Sequence, residues 1–342
     1  MKNFSYCNST CYKIVKPVLW STFRITTRHL KQDLSSETGE RWLRNLIHVR
    51  ELVFLKLIAV QKLTAEQKRK NFHEIVGRCS PEDVESVVLE SNKWSLTYIC
   101  STFKYLKKIS VSVSHMCCWF LPDGFASLIG GLQNLEELKL DKLHEVGLAE
   151  YLLLIEKLAS SSNFKRLRVN IFALANWSCK GIRAVATTKT KTNCELGKHF
   201  NAISQLKDLE KLDVSSYLGC YMKEKKIDLS FLQGFTRLKE LHAPSNVEHF
   251  PLLNLPNLEK LNLTEIFLDE GNIQNIGSLT SLTSLDVSNR FEPTLTIAAV
   301  SMIAGLTSLR ELYLDRTRLT DEGMVLLQNL TNLVKLNISN TR

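Results

Sequence analysis

Apolar residues recur along this chain in a three-point frame: one leucine or its equivalent, two residues of any kind, a second leucine, one residue of any kind, and a third apolar position. The clearest copies, Leu309/Leu312/Leu314 and Leu333/Leu336/Ile338, lie 24 residues apart and carry similar flanking text, GLTSLRELYLDRT against NLTNLVKLNISNT. Upstream the frame recurs at Leu282/Leu285/Val287, Leu258/Leu261/Leu263, Leu238/Leu241/Ala243, Leu209/Leu212/Val214, Phe164/Leu167/Val169 and Leu135/Leu138/Leu140. Fainter copies stand at Leu106/Ile109/Val111, Val84/Val87/Leu89 and Val49/Leu52/Phe54. The last two positions of each frame are two residues apart, the period of a strand with one buried face, so each frame predicts one short strand. Between frames, Thr320 stands before Asp321, Glu322 and the apolar run 324–327, which is a helix start with a capping hydroxyl and acidic first turn. Successive second leucines from Leu138 to Leu336 are 29, 45, 29, 20, 24, 27 and 24 residues apart, room for a helix in most returns. Pro244, Pro251 and Pro256 argue against one in the shortest return, because proline removes a helix donor and clashes with the preceding turn.

This periodic text resembles the leucine-rich-repeat family. A single repeat cannot bury its apolar side, so copies stack and cover one another. The resemblance implies an α/β solenoid, a horseshoe with a concave parallel sheet and a mostly helical convex side. The array is expected over residues 46–342, with an inserted loop near 171–200. Residues 187–193, TTKTKTN, have no apolar period and read as the solvated part of that insertion.

Ahead of the repeats, residues 8–25 read NSTCYKIVKPVLWSTFRI. Cys11, Ile14, Val15, Pro17, Leu19 and Trp20 stand where the closing helices of an F-box carry a small residue, an apolar pair and Pro-x-Leu-Trp. The segment resembles the second half of an F-box, and an F-box followed by leucine-rich repeats is a common pairing. The resemblance implies that these six residues dock on the adaptor subunit of an SCF-type (cullin-RING) ubiquitin ligase while the repeats select a protein substrate for degradation. An F-box also opens with Leu-Pro and an amphipathic helix, for which the seven residues before Asn8 leave no room. The chain stops at Thr341-Arg342 inside a repeat and without a polar cap, so both ends read as cut and the last apolar edge is expected to be exposed. Residues 1–45 are accordingly expected to be either an F-box-like remnant or N-terminal capping helices, with Trp20, Phe23 and Ile25 covering the first strand's edge. The alternative to a ligase receptor is a repeat scaffold or ligand-sensing regulatory module without a ubiquitin-ligase link.

Composition narrows the partners. The 44 Lys plus Arg against 35 Asp plus Glu give a net charge of +9, but it is spread without a basic tract interleaved with aromatics, which argues against nucleic acid. No apolar run reaches the length of a membrane helix, so no membrane partner is expected, and the first residues lack a secretory signal. A cytoplasmic or nuclear location follows, with the nine irregularly spaced cysteines reduced. No phosphate-cradling loop, nucleophile elbow or zinc-site spacing occurs, and the eight histidines are scattered. The chain is therefore expected to be no enzyme, with no catalytic residue, metal or cofactor. Cys79 and Cys100 read as buried thiols, and the Gly130-Gly131 pair as a turn between a helix and the next strand.

Recognition is expected on the concave face, to which the residues between frame leucines point by strand alternation. The candidate partner-binding residues are Lys139, Arg166, Arg168, Lys211, Asp286, Glu311, Tyr313 and Asp315. Further residues expected to point the same way include Lys108, Glu137, Asp213, Glu240, His242, Lys260, Asn262, Lys335 and Asn337. The central stretch is mainly basic and the stretch near Asp286, Glu311 and Asp315 acidic, which predicts a protein partner with complementary charge halves.

Overall fold

The computed structural model describes residues 22–25, 43–44, 46, 49–54, 64–90, 93–112, 124–141, 148–169, 201–215, 227–243, 247–249, 255–264, 266, 270–289 and 295–341. The chain divides into two compact units, Met1–Leu143 and His144–Arg342.

In the first unit the apolar frames become parallel strands. They are β1 (Thr22–Ile25), β2 (Glu51–Phe54), β3 (Ser86–Glu90), β4 (Lys108–Ser112) and β5 (Glu137–Asp141), hydrogen-bonded in sequence order. The register sets Leu52, Val87, Ile109 and Leu138 in one column and Phe54, Leu89, Val111 and Leu140 in the next, all buried. Helices α1 (Ala65–Gly77), α2 (Lys93–Thr102) and α3 (Phe125–Gly130) make the returns. Helix α1 starts with a capping box, in which Thr64 Oγ1 accepts from Gln67 N at 3.2 Å and Gln67 Oε1 accepts from Thr64 N at 3.2 Å. The same helix buries Phe72, Ile75 and Val76, and the Phe72 ring lies 4.8 Å from that of Phe54, tying helix to sheet. β1 was not among the expected repeat strands. It pairs in parallel with β2, so the sheet begins upstream of residue 46.

The second unit repeats the plan with shorter strands: β6 (Arg166–Val169), β7 (Lys211–Asp213), β9 (Glu240–His242), β11 (Lys260–Asn262), β12 (Ser284–Asp286), β13 (Glu311–Tyr313) and β14 (Lys335–Asn337). Their central column is Leu167, Leu212, Leu241, Leu261, Leu285, Leu312 and Leu336. The first six are buried, each worth roughly 1.5–3 kcal/mol of transfer free energy relative to an exposed leucine. Helices α4 (Leu148–Ala159), α5 (Glu270–Gly277), α6 (Ile297–Ala304) and α7 (Asp321–Leu327) cover the leucine side. The helix start expected at Thr320 is present, with Thr320 Oγ1 accepting from Gly323 N at 3.3 Å. Gly323 is buried, and a Cβ on it would lie 2.9 Å from Leu319 Cδ1 and 3.5 Å from Val300 Cγ2, so its missing side chain lets α7 lie close to α6.

In two returns the described residues form strands and a 3-10 turn and no α-helix. The short one with the prolines forms β10 (Val247–His249), as the prolines predict. The one before it forms β8 (Ile227–Asp228) and a 3-10 turn at Ser230–Leu232 where a helix was expected, and β8 pairs with β10 in a separate two-stranded parallel sheet. Seven repeats also bury one apolar residue ahead of the three-point frame. Leu132, Leu206, Phe235, Leu255, Leu279, Leu306 and Leu330 are buried three residues before the first frame position, and the carbonyl of each accepts from the amide of that position at 3.1–3.2 Å or, for Leu306 and Leu330, 3.0 Å. This turn aims the chain into the sheet.

Candidate functional site

The outward face of the second unit's sheet, away from the buried leucines, carries two rows of side chains set by the register. One row is Arg166, Lys211, Glu240, Lys260, Ser284, Glu311 and Lys335; the other is Arg168, Asp213, His242, Asn262, Asp286, Tyr313 and Asn337. Neighbours in a row are about 4.8 Å apart, close enough for direct contact. Lys211 Nζ lies 2.5 Å from Glu240 Oε1, which also meets His242 Nε2 at 2.7 Å. Partial burial works to raise the Glu240 carboxyl, but the hydrogen bonds from Lys211 and His242 outweigh it and hold the group below the ordinary carboxylate range. Arg168 Nη1 lies 3.2 Å from Asp213 Oδ2. Farther along, Glu311 Oε2 accepts from Ser284 Oγ and from Tyr313 OH, both at 3.2 Å, and Lys335 Nζ sits 4.9 Å from the Tyr313 ring centroid.

The register mixes charges of both signs within these rows. Arg166 and Lys211 stand side by side, but Asp213 and Glu240 sit among the basic residues and Lys260 and Lys335 flank the acidic ones, so neither stretch is of one sign. Asp213, expected to project, is only 3% exposed. Lys139 belongs to β5 of the first unit, where its Nζ pairs with Glu137 Oε1 at 2.7 Å. Asp315 follows β13 and accepts from Asn340 Nδ2 at 2.9 Å. Arg166, Arg168, Lys211, Asp286, Glu311 and Tyr313 all stand on the second unit's outward rows. Cys11, Ile14, Val15, Pro17, Leu19 and Trp20 lie outside the described residues, as does the 187–193 loop.

The second row does structural work that the sequence analysis missed. Asp213 Oδ1 accepts from Ser215 N at 3.1 Å and Oγ at 2.6 Å. Asn262 Oδ1 does the same with Thr264, Asn337 Oδ1 with Ser339, and Asp286 Oδ1 with Ser288 N. These Asx turns close the strands. Their signal is legible as Asp or Asn, one residue, then Ser or Thr, starting on the residue after the frame's second leucine. Tyr313 and His242 occupy the same row without that duty, and Lys260 is exposed and has no ion-pair partner among the described residues. None of these three side chains closes a strand, which leaves them for contact together with the first row.

Two flanking features are structural. Lys165, Glu210, Lys239 and Glu259, each just before a strand, alternate in sign, and Glu210 bridges Lys165 at 3.3 Å and Lys239 at 3.6 Å. Its slight desolvation is outweighed by these two lysines, so its carboxyl also lies below the ordinary range. Cys79 and Cys100 are buried, and desolvation pushes both thiols up to about 12, which suits inert core groups. Among the described residues no group of three or more His, Cys, Asp or Glu could hold a metal ion, and no helix is long and apolar enough to cross a membrane.

No family model matches the sequence, and no curated protein matches it. Among solved structures, the chain is similar to an internalin from Listeria monocytogenes at 15% identity and a TM-score of 0.45, over 96% of this chain and 83% of that one. It is also similar to a leucine-rich-repeat protein of Leptospira interrogans at 18% identity and a TM-score of 0.39, over 98% of this chain and 88% of that one. A third similarity is to TLR13 in its complex with ssRNA13, at 14% identity and a TM-score of 0.38, over 87% of this chain and 34% of that one. The repeat assignment rests on the protein's own strand register and buried leucine columns, by which each of the two units is a stretch of α/β leucine-rich-repeat solenoid.

Proposed function

We propose that this chain is a protein-recognition module, a scaffold without catalysis of its own that holds a protein partner on the outward face of its sheet. The carrying observation is the pair of polar rows in the second unit, in which Tyr313, His242 and Lys260 project without closing a strand. An aromatic anchor among satisfied polar groups is the composition that protein interfaces favour. Among the described residues the face offers no cluster for metal chemistry, while its ion pairs pre-organise the side chains that a partner meets.

The finer reading is a substrate receptor of an SCF-type ubiquitin ligase, in the cytoplasm or nucleus. Its support is the similarity of Cys11, Ile14, Val15, Pro17, Leu19 and Trp20 to the closing half of an F-box. In that role the mechanism is proximity, with the substrate held near a charged conjugating enzyme. A repeat scaffold with no ligase link is the second reading, and β1 favours it: the end of the F-box-like text pairs in parallel with β2 and covers a sheet edge, which is the work of a cap. Purified adaptor subunit and the full chain in a pull-down separate the two. Retention that Trp20→Ala abolishes supports the receptor; no retention by the wild-type chain leaves the scaffold.

A further inference from the structure

The outward face of the first unit's sheet differs in kind from that of the second. Its register sets Arg24, Val53, Val88, Ser110 and Lys139 in one row. The second unit's rows carry a polar or charged group at every position, whereas Val53 and Val88 here stand side by side, partly buried, on the face away from the buried columns. Ser110 borders them in the row and Ser86 in the row beside it, so the centre of the face is low and apolar. Glu51 is held along that second row, its Oε2 accepting from Thr22 Oγ1 at 3.0 Å and its Oε1 from Ser86 Oγ at 3.3 Å. The long cationic side chains stand toward the corners, Arg24 on β1, Lys108 on β4 and Lys139 on β5.

Charge on this face is spent unevenly. Glu51 accepts from two hydroxyls, and Glu137 is paired with Lys139. The side chains of Arg24 and Lys108 are exposed and make no ion pair or hydrogen bond among the described residues. They stand three strands apart, which at about 4.8 Å per strand separates them by about 14 Å, with both valines between. An extended chain rises about 3.4 Å per residue and turns alternate side chains to one face, so its residues i, i+2 and i+4 cover the same 14 Å or so. With an aliphatic residue at i+2 over Val53 and Val88, carboxylates at i and i+4 reach Arg24 and Lys108. The flexible Lys108 stem covers the offset between its row and the valine row. Asp141 stands two residues beyond Lys139 on β5 and repels a carboxylate from that corner, which leaves the line from Arg24 to Lys108 as the course of an acidic segment.

We infer that the first unit's outward face is a docking surface in its own right, which takes an extended acidic segment of a protein partner. An aliphatic side chain of that segment rests on Val53 and Val88, and a carboxylate two residues to either side meets Arg24 and Lys108. The choice of occupant rests on charge complementarity: the two unpaired cations flank an apolar floor at the spacing of alternate residues in an extended chain. The surface lies wholly in the first unit and works without Tyr313, His242 and Lys260. One aliphatic contact and two exposed ion pairs make a weak, salt-sensitive site.

Surface plasmon resonance at low salt tests this, with the full chain immobilised and the peptide Ser-Glu-Thr-Val-Thr-Glu-Ser titrated to about 1 mM. The wild-type chain binds it. Arg24→Glu with Lys108→Glu, both at exposed sites, leaves the melting curve unchanged and weakens binding about fivefold or more. A peptide with lysine in place of both glutamates binds that doubly reversed chain more tightly than it binds wild type. Serine in place of the central valine weakens binding by about threefold or more. Arg166→Glu with Lys260→Glu, in the second unit, leaves binding unchanged. No binding to the wild-type chain overturns the inference and leaves the second unit's face untouched as the recognition surface. Binding indifferent to the charge reversal or to the central valine overturns it equally, and binding lost in the Arg166→Glu, Lys260→Glu chain moves the segment to the second unit.

Discussion

Leu312 and Leu336 are register partners on β13 and β14, the second leucines of consecutive copies of one frame, yet Leu312 is fully buried and Leu336 is 39% exposed. The residue type and the local backbone are the same. What differs is the neighbour: β14 and its repeat lie against Leu312, and no described strand lies against the other side of β14. In a repeat stack burial belongs to the interface between units, and the same leucine contributes according to what covers it.

Leu312→Ala is accordingly expected to cost about 2–5 kcal/mol of stability, with Leu336→Ala costing clearly less because part of that side chain is already in water. Leu312→Asp is expected to be more disruptive than Asp315→Lys, since only the first buries an unpaired carboxylate. Urea denaturation followed by far-ultraviolet circular dichroism measures both comparisons. Equal losses within either pair would contradict the strand frame.

Asp213 closes β7 through Ser215 and neutralises Arg168 from a site that is 3% exposed. Asp213→Ala is expected to lose about 1–3 kcal/mol, below the roughly 3–5 kcal/mol of a fully buried broken pair because Arg168 keeps access to water. Asp213→Asn retains an acceptor for Ser215 and is expected to recover part of that loss. Thermal melts of the two variants would show whether the turn or the ion pair matters more.

Acid sensitivity follows from Glu240. Its folded carboxyl titrates below the ordinary value, so the stability it contributes is complete above the unfolded pKa of about 4.3 and is lost as pH falls through the lower folded value. Glu240→Gln is expected to destabilise the protein at neutral pH and to flatten the decline of melting temperature on the acid side of that window. A decline as steep as that of the wild type would show that other carboxylates carry it.

Arg168 is unsuitable for charge reversal, because Arg168→Glu sets a carboxylate against buried Asp213 and is expected to destabilise the fold. Arg166→Glu with Lys260→Glu alters the outward face without that conflict. If the face receives an acidic segment of a native partner, the double variant is expected to associate more slowly, and the wild-type rate to fall with salt as charges beyond roughly 10 Å become screened at 0.1 M. Stopped-flow association rates across a salt series check this, and Tyr313→Ala, which removes the aromatic anchor, is expected to act mainly on dissociation instead.

The sequence by itself determined the repeat. Frames from Val49 to Ile338 all became strands because strand alternation is a local, two-residue period, and burial of one side follows from it wherever copies stack. The helix start at Thr320 and the proline-blocked return near residue 247 were also legible, being properties of a few consecutive residues. The Asx turns at Asp213, Asn262, Asp286 and Asn337 were legible in principle, since acceptor and donor are two residues apart. Tertiary structure alone decided the rest. Lys211 meets Glu240 across 29 residues, and Ser284 meets Glu311 across 27, because returns of unequal length nevertheless deliver each strand in register with the last. The sign of a neighbour across the sheet is set by that register and by no local pattern, which is why the ion pairs along the rows were not legible in single residues. The 3-10 turn at Ser230–Leu232 has the same origin: the backbone between β7 and β9 pairs β8 with β10, a partner strand that lies beyond β9 in the chain.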